Sequence, residues 1–329
     1  MVDLSIIIVS WNVASLLRAC LRSILAGGRL DDAGVLHLGP YTAEIYVVDN
    51  ASADGSAELV RREFPQAKLL ANPTNVGFTA GNNQALRLCA GRYVLLLNPD
   101  TEIVGAALSV MLDYMERHAE VGVVGPQLRY GDGRLQSSRR RFPTFLTALM
   151  ESTLLHQWFP RNPWAQRYYL ADAPDEATQE VDWVVGACML VRREAIQQVG
   201  LLDEDFFMYS EELDWCRRMT RAGWRVVYLP TAVVIHHEGQ SSQQVVAARH
   251  IHFHTSKVLY FRKHHGRLPA EVLRLFLLGT YLFQWLEEGV KYLLGHRRAL
   301  RRKRLAAYGQ VLRSGLRPPK RASEGASHA

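Results

Sequence analysis

The chain has 329 residues, 48% of them hydrophobic, enough to bury one large core with an appendage. Its four cysteines, Cys20, Cys89, Cys188 and Cys216, are scattered and form no CxxC pair, which argues against a disulfide framework or a zinc site and suits a reducing compartment. The net charge of +7 is a property of the tail. Residues 291–321 hold eleven Lys or Arg and no acidic residue, so the rest of the chain is acidic on balance.

The N-terminus opens on Asp3 and a short apolar run, without the basic and long apolar regions of a secretory signal, so the folded part is expected to stay in the cytosol. Ser5–Val9 and Glu44–Val48 are β-branched runs that read as strands, each leading into polar residues. Between them, Ala14–Leu25 has apolar residues at helical spacing. Helix-like residues 82–88 precede a third strand, Arg92–Leu97, which ends in Asn98-Pro99-Asp100. Alternating strands and helices predict a mostly parallel, doubly wound α/β sheet flanked by helices. Ligands of such sheets sit at the carboxyl ends of the strands. There the polar candidates are Trp11-Asn12, Asp49-Asn50 and Asn98-Pro99-Asp100.

Residues 136–178 read as long loops and short helices, and Trp183–Val191 and Trp224–Leu229 as further strands. The chain divides into a catalytic domain over 1–245 and a helical, basic extension over 246–329, whose last dozen residues have the composition of a disordered tail.

The first strand-to-helix turn, residues 10–15, contains no glycine, and no P-loop occurs anywhere, which moves dehydrogenases and P-loop kinases down the list. Asp49 has two readings, an acceptor for a nucleobase imide or ribose, and a plain turn residue within Asp49–Gly55. Asn72–Asn82 is a glycine-bearing loop feeding a helix, which is either an anion site for a diphosphate or a turn with its cap. Asp100 at a strand end is able to hold Mg²⁺ or Mn²⁺ if phosphates supply the other ligands, with His236 or His237 as a second ligand or as a structural residue. Six carboxylates between Asp203 and Asp214 surround an aromatic cluster. Within it, Glu211 and Glu212 are candidates for a general base with a raised pKa, or for a helix first turn that favours acidic residues.

In order, SIIIVSWN, VVDNASADGSA, NPTNVGFTAGNNQAL, LLLNPDTEI, WVVGACMLVRREAI, VGLLDEDFFMYSEELDWCRR and AVVIHHEGQSS resemble family 2 glycosyltransferases of the GT-A fold, most of all their bacterial rhamnosyltransferase branch, over Ser5–Ser242. The resemblance implies an inverting enzyme that uses a divalent metal and a dTDP- or UDP-linked sugar. Donor contacts then fall on Ser10, Asn12, Asp49, Gly77, Asn82, Asn98, Asp100 and Trp183. Asn98 replaces the first carboxylate of the metal motif, leaving Asp100 and His236 as metal ligands, with Gly239 and Ser241 completing the late motif. Glu212 takes the position of the catalytic base, with Glu211 beside it. No QxxRW motif of processive synthases is present, so one sugar per acceptor is expected.

In the extension, Glu271, Arg274, Gln284, Glu288 and Lys291 fall near one face of an otherwise apolar helix, and six basic residues follow within eight positions from Arg297. The longest uncharged stretch, Leu275–Leu286, is too short for the ~20 residues of a bilayer span. An amphipathic helix with a polybasic run points to an anionic membrane surface, at roughly 1 kcal/mol per basic residue. The alternative is a helix packed on the catalytic domain with a solvated tail. The resemblance to this branch implies a lipid-linked or other glycan acceptor, which together with the tail points to the cytosolic face of the membrane; nucleic acid is not expected. The competing reading, a nucleic-acid-binding protein using the basic tail, leaves Asp100 and the acidic cluster unexplained.

Overall fold

The computed structural model describes residues 2–32, 34–151, 153–237 and 246–318. They form two compact units interleaved along the chain. The first comprises residues 1–142, 169–203 and 212–241, and the second comprises 143–168, 204–211 and 242–329.

The first unit is built on a mixed, twelve-stranded sheet. At its centre lies Leu4–Ser10, buried along its whole length. It runs parallel to Tyr41–Asp49 on one side and to Tyr93–Leu97 on the other. Helices Ala14–Ala26 and Ala107–Arg117 cover the sheet with Leu17, Leu21, Ile24, Met111 and Met115, all fully buried. Full burial of a leucine or methionine contributes about 1.5–3 kcal/mol each, so these faces fix the helices to the sheet. The four cysteines are buried and free, and burial pushes the Cys20 thiol up to about 12.

Parallel order gives way beyond Tyr93–Leu97. Cys188–Arg192 enters antiparallel to it and antiparallel to Val121–Arg129, which runs parallel to Arg225–His236. Trp183–Val191 is thus not one strand, as its continuous apolar run suggests. Trp183–Val184 pairs with Arg139–Arg140 in a separate two-stranded sheet, and the chain bends through residues 185–187 before joining the main sheet. Both strands are buried, and a buried run carries no period that marks such a break. The strand sought at Trp224–Leu229 continues to His236 through a bulge between Leu229 and Val233, where Pro230 cannot donate to a ladder.

The second unit is helical. Helices Val246–His265, Arg267–Leu293 and Arg298–Ser314 pack on one another, with Phe145–Met150 and Leu154–Trp158 beside them. The basic run from Arg297 therefore opens a packed helix instead of a free tail. Arg301 is buried and donates twice to Glu288 at 2.8 Å, and Arg304 adds a third bond at 2.9 Å. Burial alone would raise the Glu288 carboxyl, but these two arginines outweigh it and hold it below the usual carboxylate range. Residues 204–211 lie against Val246–His265. Ser256 Oγ donates to the Met208 carbonyl at 2.7 Å, Phe207 stacks on His252, and Tyr209 meets Phe253 edge-on. These contacts hold Tyr209 and Ser210 at φ of 69° and 65°, a left-handed pair that costs of order 1–3 kcal/mol per residue. Among the described residues no helix is long and apolar enough to cross a membrane.

Candidate functional site

The carboxyl ends of the parallel strands carry a set of buried polar atoms. Ser10 and Asp49 are register partners at the ends of neighbouring strands. Asn12, at φ 53°, locks the two following loops together: its Oδ1 accepts from the Ala53 N–H at 2.7 Å, and its own N–H donates to Ser52 Oγ at 3.0 Å. Asp49 Oδ2 accepts from the Ser52 N–H, while Oδ1 is buried and has no hydrogen-bond partner. Ser10 Oγ and Thr79 Oγ1 are in the same condition. Buried polar atoms are nearly always satisfied, so two of them on register partners at a strand end mark a seat for a polar ligand.

Thr79 lies in the first turn of the helix Phe78–Leu86. Gly77, the cap residue, takes φ 91°, and its carbonyl accepts from Asn50 Nδ2 at 3.0 Å. Gly81 brings this helix against Val9, where an added Cβ would come within 3.1 Å of Val9 Cγ1. The helix therefore rests on the central strand, with its N-terminal N–H groups at the strand ends. Asn82 turns back on its own helix, donating to the Phe78 carbonyl at 2.9 Å.

Asp100 and His236 come together through strand pairing. The bulged strand Arg225–His236 sets His236 opposite Thr101. His236 Nε2 lies 3.4 Å from Asp100 Oδ1, and both side chains are buried. His236 Nδ1 is 2.9 Å from Gln136 Oε1. An amide oxygen only accepts, so Nδ1 donates to Gln136, and Nε2 is the nitrogen turned toward the Asp100 carboxylate. A carboxylate and an imidazole nitrogen turned toward each other, with the far ring nitrogen held by an amide, is a pairing that also occurs at divalent-metal sites. His237 is directed elsewhere, with its ring 2.7 Å from Glu102. Among the described residues no group of three or more His, Cys, Asp or Glu side chains is able to hold a metal, so further ligands would have to come from substrate or solvent. Asn98 ends its strand, with its N–H on the Ala187 carbonyl and its carbonyl accepting from Thr101 Oγ1.

Glu212 stands in the first turn of the helix Glu211–Arg221. Gly186, at the bend between the two strand pieces, packs against it: a Cβ there would lie 3.4 Å from Glu212 Cβ and Cγ, an ordinary contact. The residue is partly buried, and its Oε2 is wholly so, with no hydrogen-bond partner. Burial raises its pKa, opposed by nearby backbone N–H groups and by the charge of Arg140. Glu211 is buried at the first position of the same helix. Asp214 is held by Arg218, which also donates to the Val199 and Leu201 carbonyls, so that carboxylate is structural.

Trp183 is 8% exposed and its indole N–H donates to the Arg141 carbonyl at 3.0 Å, which leaves the face of the ring, not its polar edge, for any ligand. Gly239 and Ser241 lie outside the described residues. Thr79, Gln136 and Gly186 are the site residues that sequence reasoning passed over. Thr79 had a signal, since it follows the glycine turn that opens its helix. Gln136 and Gly186 had none, because their partners are remote in the chain.

The sequence profile of Glycosyl transferase family 2 matches residues 5–200, and that of Glycosyl transferase family group 2 matches residues 143–286. The chain is 32% identical over 247 residues to the N-acetylglucosaminyl-diphospho-decaprenol L-rhamnosyltransferase of Mycobacterium tuberculosis, covering 72% of this chain and 80% of that one. It is 28% identical over 180 residues to rhamnosyltransferase WbbL of Escherichia coli, covering 49% and 61%. In structure it is similar to the mannosyltransferase PcManGT of Pyrobaculum calidifontis, solved with GDP-Man and Mn²⁺, with a TM-score of 0.52 over 94% of this chain and 85% of that one, at 18% identity. With more than half its length matched by the family and the GT-A architecture in place, this chain belongs to glycosyl transferase family 2, on its bacterial rhamnosyltransferase-like branch, and is a glycosyltransferase.

Proposed function

We propose that the enzyme transfers rhamnose from a dTDP-linked donor to a hydroxyl of a lipid-linked glycan in cell-envelope polysaccharide synthesis, working at the cytosolic face of the membrane. Glu212 carries this reading, as a buried carboxylate oxygen without a protein partner beside a glycine bend. The relative in M. tuberculosis bears the name of an L-rhamnosyltransferase for N-acetylglucosaminyl-diphospho-decaprenol, which supports both the sugar and the lipid carrier.

In the proposed reaction Glu212 Oε2 accepts the proton of the acceptor hydroxyl as that oxygen attacks the anomeric carbon. The bond from this carbon to the diphosphate breaks, its electron pair leaves with the diphosphate, and the configuration inverts. Ser10, Asp49 and Thr79 bind the nucleotide end, and the N–H groups of Phe78–Leu86 face the diphosphate. Asp100 and His236 would hold Mg²⁺ or Mn²⁺, which supplies Lewis-acid neutralisation of the leaving diphosphate.

The donor is tested by thermal shift, because a ligand that binds only the native state raises Tm. Among dTDP-rhamnose, UDP-glucose, UDP-N-acetylglucosamine and GDP-mannose, dTDP-rhamnose with Mn²⁺ is expected to give the largest rise, and the rise should shrink without metal. A larger shift with another nucleotide sugar would reassign the donor and leave the reaction class standing.

A further inference from the structure

Helix Arg267–Leu293 has two apolar faces. One packs within the helical unit through Ala270, Leu273, Leu277 and Tyr281, with Glu288 buried there against Arg301 and Arg304, Arg274 donating to the Gly315 carbonyl, and Tyr281 bonding His250. The other faces outward. Leu268, Val272, Leu275, Leu282, Leu286 and Leu293 recur at intervals of three, four or seven residues, so they form one stripe, and none is less than 45% exposed. The helix has 27 residues, so the stripe runs for about 40 Å. Soluble chains rarely leave so long an apolar surface in water.

Aromatic residues and cations border the stripe. Phe283, 50% exposed, meets Trp158 edge-on at 6.2 Å, and Trp158 is itself 58% exposed with Phe159 beside it. Where the helix ends, Arg297, Arg298, Arg302 and Lys303 are all exposed. Tryptophan at the border and arginine at the end are what an anionic lipid–water interface selects, since the ring sits among headgroups and the cations meet phosphate.

We propose that this stripe, together with Trp158 and Phe159, is a bilayer-docking surface that lies flat on an anionic membrane, with leucines in the acyl boundary and the arginine cluster on lipid phosphates. The helix does not cross the bilayer; it lies along the surface. The proposal deepens the reading of a lipid-linked acceptor, and its test records binding without sugar transfer, so either idea fails independently of the other.

The test is sedimentation with vesicles of phosphatidylglycerol and phosphatidylcholine in equal parts, and with vesicles of phosphatidylcholine alone. The full chain should sediment with the anionic vesicles. Leu275→Ser/Leu282→Ser/Leu286→Ser should lower that partitioning by at least about tenfold, because three exposed apolar contacts with lipid are lost. Arg297→Glu/Arg302→Glu should weaken binding to anionic vesicles and leave binding to neutral ones unchanged. An unchanged melting temperature in each variant, measured without lipid, establishes that the fold is intact. A full chain that stays in the supernatant, or a triple variant that sediments like the parent, overturns the proposal. So does a lipid-free dimer that the triple variant converts to monomer, since the stripe would then be a contact between copies of this chain.

Discussion

Glu212→Gln is expected to lower turnover at least ~100-fold while leaving donor binding near its original strength. Glutamine keeps the size of the side chain above Gly186 and removes only the proton acceptor, so the loss falls on kcat and not on the nucleotide contacts. The pH profile supplies a second readout. Burial raises the Glu212 pKa, so the folded state binds that proton more tightly than the unfolded chain does. Ionising Glu212 therefore costs stability, and that cost sets in as pH rises from the ordinary glutamate value of ~4.3 toward the raised one. In the proposed mechanism the active form is the ionised one, so the acid limb of kcat/KM should lie above the usual carboxylate range. It should disappear in Glu212→Gln, leaving a low, flat residual rate. Normal turnover in Glu212→Gln with a dead Glu211→Gln would transfer the role to the neighbouring carboxylate.

Chelation should remove activity almost completely, and Asp100→Asn should reproduce much of that loss. On the proposed ligand set of Asp100 and His236 the site would have little affinity to spare, and the donor diphosphate would have to complete it. The structure adds a sharper variant. Gln136→Leu leaves both ligands in place but releases His236 Nδ1, and loss of such an outer partner typically costs 10–100-fold in metal affinity. The expected result is a raised Mn²⁺ requirement with maximal rate recovered at high metal. Full activity in EDTA would contradict this, and the enzyme would then need cationic side chains to stabilise its leaving group.

Much of the first unit is legible in the sequence because its central strands are buried on both faces. The runs at Ser5–Val9, Glu44–Val48 and Arg92–Leu97 are long, β-branched or leucine-rich, and each ends in a residue whose chemistry marks a strand end. The structure extends the first by one residue at each end, extends the second by three residues at its start and one at its end, and trims Arg92 from the third, which is the ordinary uncertainty of element boundaries. Asp49 and Asp100 stand just where two of these runs end, whereas Glu212 stands in the first turn of a helix. What escapes is everything set by long-range pairing. Val121–Arg129 is a full strand whose glycines and proline weaken its pattern, and it forms because strands run on both sides of it. Gln136 meets His236 across 100 residues of sequence, so nothing local announces it.

The extension gives the other lesson. A helical wheel of Arg267–Leu293 groups Glu288 with other polar residues but does not say which side meets water, and the side that packs also carries Ala270, Leu273, Leu277 and Tyr281. The deciding residues are Arg301 and Arg304, which follow on the next helix and draw Glu288 inward. The basic run therefore has two jobs that composition merges into one charge. Arg301 and Arg304 pair with Glu288, while Arg297, Arg298, Arg302 and Lys303 stay exposed.

Transfer of a single rhamnose from a nucleotide to a lipid-linked sugar is tested most directly by incubating the full chain with dTDP-rhamnose, Mn²⁺ and polyprenyl-diphospho-N-acetylglucosamine, and weighing the lipid product by mass spectrometry. The expected product is heavier by one deoxyhexose and no more, and it is absent when EDTA or Glu212→Gln is used. An unchanged lipid with every nucleotide sugar offered, or a ladder of repeated additions, would contradict the account.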